Sequence, residues 1–241
     1  MDSLKSLLST ILSLLFLLSS CSSLSNHKQI CPKPSNEQIE FKSSEISPSV
    51  STLQAEIEYY LNSGYDIDGL QSLTLDRYGN TVGSITKTDL SGDENDELIF
   101  STITSSEISG YKLGWLGIYE CSNGKYQSSY IGYGEFTNSV KVVEVFDALG
   151  QGKPQIFVEY IWRGSQCQVG LNVLEKTGTG WSRIFDHYLN CPTTISVNNT
   201  QDGDTVEIIF QGKFHDDMGF EPDKRVTQVF RVQSGEIVLV P

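Results

Sequence analysis

The stretch Asp89-Leu90-Ser91-Gly92-Asp93-Glu94-Asn95-Asp96-Glu97 concentrates oxygen-bearing side chains in a way that could do chemistry. Asp89, Ser91, Asp93 and Glu97 occupy its positions 1, 3, 5 and 9, and Asn95 at position 7 can offer its carbonyl. That spacing lets a short loop wrap a hard cation such as calcium, which takes about 6–8 oxygen ligands, so water or a neighbouring loop must complete the shell. The acidic side chains repel one another unless a cation or solvent screens them, and a solvated acidic turn is the alternative reading. Asp147-Ala148-Leu149-Gly150-Gln151-Gly152-Lys153-Pro154-Gln155 has the same length but lacks carboxylates at positions 5 and 9 and adds Lys153, which argues against a metal there. A third loop, 199–207, is degenerate in that register; shifted by one, Asn198, Thr200, Asp202 and Asp204 could ligate weakly.

The five cysteines carry the next chemistry. Met1-Asp2-Ser3-Leu4-Lys5 leads into a leucine-rich run ending at Leu18, the pattern of a secretory signal peptide over residues 1–20. The run falls short of the roughly 20 apolar residues of a spanning helix. Its end, Leu18-Ser19-Ser20-Cys21, resembles the lipobox of bacterial lipoproteins. The resemblance implies acylation of the Cys21 thiol (palmitate-type chains), cleavage before Cys21, and a protein held on the envelope face of a membrane through its N-terminal lipid. More than one acyl chain exceeds the threshold for stable anchoring. Ordinary signal-peptidase cleavage near Ser20, without lipid, is the alternative. Lipidation also accounts for the odd cysteine count. It leaves Cys31, Cys121, Cys167 and Cys191, which in an oxidising compartment could form two disulfides. Three pairings are possible; a shared repeat favours Cys167–Cys191, and Cys31–Cys121 follows by elimination. No C-x-x-C pair suggests zinc or thiol exchange.

Catalytic signals are thin. His27 lies in a Ser- and Pro-rich segment, His187 follows a strand-like run as an edge or turn residue, and His215 heads His215-Asp216-Asp217, a polar loop or second cation site. No serine or cysteine nucleophile motif accompanies them. Asp66 and Asp68 could pair as glycosidase carboxylates, but nothing sets their separation. Trp115, Trp162 and Trp181 sit in or beside strand-like runs, where core packing is expected rather than a sugar platform.

Residues 21–50, without apolar periodicity, read as a flexible tether, and 51–241 as one β-rich domain with an N-terminal helix. The formal charge of −13 argues against nucleic acid and against docking on anionic lipid heads. Ser51 as N-cap, Gln54 three residues on, the apolar stripe Leu53, Ile57, Tyr60 and Leu61, and Gly64 as C′ residue predict a helix over 52–63. Beyond about Thr81, strand-length runs alternate with turn clusters. Glu97-Leu98-Ile99-Phe100, Gln155-Ile156-Phe157-Val158 and Glu207-Ile208-Ile209-Phe210 recur, as do turns at Gly124, Gly180 and Gly235, giving three units with a period near 55 residues. Each unit has room for about four short strands, the content of a propeller blade. The expectation is a mainly β fold of three blade-like repeats: a partial propeller with the helix over one open edge, a twisted sandwich, or a propeller closed by dimerisation.

The 89–97 loop, placed just before an apolar strand, resembles the calcium loops of FG-GAP repeats in integrin-α-like propellers. The resemblance implies calcium on Asp89, Ser91, Asp93, the Asn95 carbonyl and Glu97, and a scaffold role. It departs at Glu94, where glycine is usual, and at Ser91, a weak ligand. Two functions stay open: a non-catalytic binding or interaction module on the envelope, calcium-stabilised, recognising a protein or polysaccharide; or an envelope hydrolase acting through Asp, Glu or His215. Oligomeric state is not legible.

Overall fold

Why the strand runs are apolar on consecutive residues becomes clear from the layers they form. The structure, a computed structural model, describes residues 31, 50–64, 69–70, 80–93, 95–104, 114–132, 137–163, 167–178, 180–199, 206–214 and 224–241. These lie in the compact unit Cys31–Pro241 and are mainly β. The helix α1 (Val50–Asn62) is followed by β1 (Asn80–Thr88), β2 (Glu97–Thr104), β3 (Leu116–Ser122), β4 (Lys125–Gly132), β5 (Thr137–Phe146) and β6 (Gln155–Arg163). Then come β7 (Cys167–Thr177), β8 (Gly180–Asn199), β9 (Val206–Phe214), β10 (Lys224–Gln233) and β11 (Glu236–Val240).

All pairings are antiparallel, and the hydrogen-bonded order is β11-β10-β9-β8-β7-β6-β5-β2-β3-β4, with β1 on β2. This open sheet consists of three four-stranded meanders. β1–β4 form the first, β5–β7 with the start of β8 the second, and the end of β8 with β9–β11 the third. Among the described residues, the ladder between the first and second units is one backbone pair, Ile103↔Ser139. Second and third share β8, whose register breaks between Asn190 and Thr194, around Pro192. A proline lacks the N–H for a ladder bond and is tolerated at such an irregularity.

The apolar faces stack in series. Leu98, Phe100, Trp115 and Tyr119 of the first unit pack on Ile57, Tyr60 and Leu61 of α1. The alternate residues Ile99, Leu116 and Ile118 pack on Val140, Val142, Ile156, Val158 and Leu174 of the second unit. The other face of that unit, Phe157, Leu171, Val173 and Phe185, meets Ile208, Phe210 and Phe230 of the third. A strand covered on both sides needs apolar residues at successive positions, hence the runs Leu98-Ile99-Phe100 and Ile156-Phe157-Val158.

Helix α1 starts at Val50, two residues before the expected boundary, so the backbone of Ser51 is already helical. Gln54 donates to Ser128 Oγ and to Glu58 Oε1. The C-terminal reading holds: Gly64 has φ +75° and its N–H reaches Leu61 O at 3.2 Å. The helix covers the outer edge of β4. Asn62 donates to Tyr126 O (2.9 Å) and accepts from Tyr126 N (2.8 Å), while Glu58 Oε1 accepts from Ser128 N (2.9 Å). Those are edge groups that would otherwise be open to another strand. Burial raises the Glu58 pKa, but hydrogen bonds from Ser128 and Gln54 outweigh it and leave the carboxyl below its ordinary value.

Candidate metal centre

The 89–97 loop connects β1 to β2, and Thr88 pairs directly with Glu97, so the ladder itself closes its mouth. Asp89 organises the interior. Its Oδ1 accepts from the backbone N–H of Ser91 (3.2 Å), Gly92 (2.7 Å) and Asp93 (3.2 Å). That tight approach requires the left-handed conformation at Gly92, φ +76°. Asp93 Oδ1 accepts from Asn95 N at 2.8 Å, and this bond holds the Asp93 carboxyl below its ordinary pKa.

Glu97 opens β2 with its side chain inside the protein, only 3 % exposed. Its Oε2 accepts from Leu90 N at 2.5 Å. Burial pushes its pKa up, and the Leu90 amide, the Ser91 hydroxyl and Lys176 offset only part of that. Carboxylate oxygens of Asp89, Asp93 and Glu97 lie within 4.8 Å of one another. Position 3, Ser91, is exposed beside them. Three converging carboxylates fit a hard divalent cation in both charge and donor type. Glu94 lies outside the described residues.

A lysine that sequence spacing did not reveal enters this site. Lys176, on β7 of the second unit, places Nζ 3.9 Å from Glu97 Oε1 and 3.1 Å from Glu120 Oε1. Packing of one unit on another brings it there, a relation no local pattern encodes.

The second loop, 147–155, stands at the equivalent place between β5 and β6 and shows what the fold needs without clustered carboxylates. Asp147 accepts from Gln151 N (3.0 Å) and Gly152 N (2.6 Å). Gln155, fully buried, accepts from Ala148 N (2.8 Å) and Leu149 N (3.2 Å) and donates to Lys153 O (2.8 Å). Gly150 is left-handed at φ +66°, as Gly92 is. The hydrogen-bonded scaffold is thus common to both loops, while the clustered charge belongs to the first. Of the third loop, 200–205 lie outside the described residues. Its Glu207 is held by Arg231, with Arg231 Nη2 2.7 Å from Glu207 Oε1.

Cys21, His27, Asp66, Asp68, His215, Asp216 and Asp217 also fall outside the described residues. The structure pairs Cys31 with Cys121 and Cys167 with Cys191, at Cα separations of 5.7 and 5.4 Å. His187 is neither terminal nor in a turn. It sits within β8, bonded through Nε2 to Gln228 Oε1 at 2.7 Å and packed against Phe210 and Phe230. Trp115 is core, and Trp181 is half-buried with Nε1 donating to Ser129 Oγ at 3.1 Å. Neither a protein-family pattern nor a curated protein sequence matches the chain.

Proposed function

We propose that this chain is an envelope lipoprotein, anchored through Cys21 after removal of residues 1–20, whose β domain is a non-catalytic binding module stabilised by calcium. The observation that carries the reading is the convergence of Asp89, Asp93 and Glu97 within 4.8 Å on one hydrogen-bonded loop. Asp89, Ser91, Asp93, the Asn95 carbonyl and Glu97 would hold the ion. Calcium, when bound, supplies positive charge where three carboxylates otherwise repel one another. The recurrence of four-stranded antiparallel meanders, the first two with like-built loops between their first and second strands, supports blade-like repeats as in the FG-GAP resemblance. Such a stacked scaffold suits recognition of a protein or polysaccharide at the envelope.

The anchor and the cation are tested separately. Labelled palmitate is expected to enter the wild-type protein, and Cys21→Ala to release it from membranes; a soluble wild-type protein with an unmodified N-terminus contradicts the anchor. The response of the melting temperature to calcium tests the cation.

A further inference from the structure

On the third unit, the face opposite Phe210 and Phe230 carries a polar row beside an apolar one formed by Ile209, Val229 and Val240. Thr194 on β8 pairs with Gln211 on β9, which pairs with Thr227 on β10, so the three side chains form one row on one face. Adjacent strands place them about 4.8 Å apart. All three are exposed. With Pro192, Gly212, Arg225 and Val226 they line an open surface depression of about 430 Å³, comparable in volume to the roughly 300–1,000 Å³ of small-molecule sites. Arg225 stands two residues before Thr227 on the same strand and therefore on the same face. Arg183 and Arg231 pair with Asp186 and Glu207; among the described residues no carboxylate pairs with Arg225. In a chain of net charge −13, an exposed guanidinium with no carboxylate partner among the described residues is a local complement for an anion. The wall is firm: the Cys167–Cys191 disulfide fastens the residue before Pro192, and Phe210 and Phe230 pack beneath the row.

We propose that this face binds the carboxylate-bearing end of a saccharide, a uronic-acid-type unit. The Arg225 fork takes the carboxylate through two parallel N–H donors. Thr194, Gln211 and Thr227 offer hydroxyl and amide groups to the sugar hydroxyls. A neutral sugar is the poorer fit, because the lining contains no aromatic ring among the described residues for it to stack on. The assignment rests on the binding-module reading above and names its ligand class.

The test is calorimetric titration of the full chain in detergent with glucuronate, glucose and acetate. Glucuronate is expected to bind several-fold more tightly than either of the others. Arg225→Ala is expected to weaken it about ten-fold, and Arg225→Lys to recover only part, since an ammonium lacks the planar fork. Gln211→Ala is expected to weaken glucuronate more than acetate. Arg225 and Gln211 are exposed, so folding is not at stake, and melting curves of the variants verify this. Glucuronate binding no tighter than glucose or acetate, or indifferent to Arg225→Ala, overturns the assignment. The calcium response is read on the same samples. If it persists while uronate fails to bind, the ligand assignment alone falls; if it vanishes while uronate binds, the calcium reading alone falls.

Discussion

Glu97 and Gln155 occupy the same place in successive loops, and each turns back onto the N–H of its loop's second residue. Leu90 N donates to Glu97 Oε2 at 2.5 Å, and Ala148 N to Gln155 Oε1 at 2.8 Å. Both side chains are buried. They differ in charge: the amide of Gln155 also donates to Lys153 O, while an ionised carboxylate at Glu97 has nothing to donate. One fold position therefore carries a neutral cap in the second unit and a buried anion in the first. A buried charge is costly unless compensated. Here compensation comes from Lys176 and, in the function proposed above, from calcium.

Glu97→Gln should reproduce the second loop. Without calcium at neutral pH the variant is expected to be more stable than wild type, by on the order of 1 kcal/mol. The sign follows from the raised folded pKa of Glu97. Below the ordinary glutamate value the side chain is protonated in folded and unfolded states alike and costs nothing. As pH rises through the elevated folded value, its ionisation destabilises the folded state. The gap between variant and wild type should therefore open from acid to neutral pH in denaturant titrations. A gap that is constant with pH, or a less stable variant, contradicts the role assigned to Glu97.

Lys176 should compete with a divalent ion for Glu97, since its Nζ lies 3.9 Å from Glu97 while it also pairs with Glu120 outside the cluster at 3.1 Å. Lys176→Met is expected to lower the melting temperature in chelator, where the carboxylates lose their counter-charge. In calcium the variant should show a larger increment than wild type and reach its midpoint at several-fold lower calcium. An unchanged calcium midpoint removes Lys176 from the site.

Much of this architecture is legible in residue patterns because local chemistry determines it. Asn123-Gly124 and Ser234-Gly235 are turns whose two residues are all left-handed (φ 54°, 72°, 55° and 81°), and such pairs match the strand twist of tight hairpins. The runs starting at Glu97 and Gln155 begin β2 and β6, and their loops fold alike because Asp, Gly and a strand-initiating Glu or Gln recur at fixed offsets. The single long strand β8 is not legible, since Pro192 in its middle ordinarily marks a strand's end; here it falls at the register break where the strand passes from one unit to the next. Lys176 beside Glu97 and the row Thr194–Gln211–Thr227 also escape one-dimensional reading. The first depends on one unit packing against another and the second on cross-strand register across three strands.

Whether calcium occupies the Asp89–Glu97 loop is read from melting of the wild-type chain in calcium and in chelator. With affinity in the roughly 10⁻⁴–10⁻³ M range of extracellular modules, millimolar calcium should stabilise the domain by about 0.5–1.5 kcal/mol and raise its melting temperature by a few degrees. Magnesium should do less, because it demands a tighter octahedral shell. Asp93→Ala should abolish the increment, while Gln151→Ala in the second loop should leave it intact. A wild-type melting temperature identical in calcium and in chelator would contradict calcium binding and leave Asp89, Asp93 and Glu97 as a solvated acidic turn.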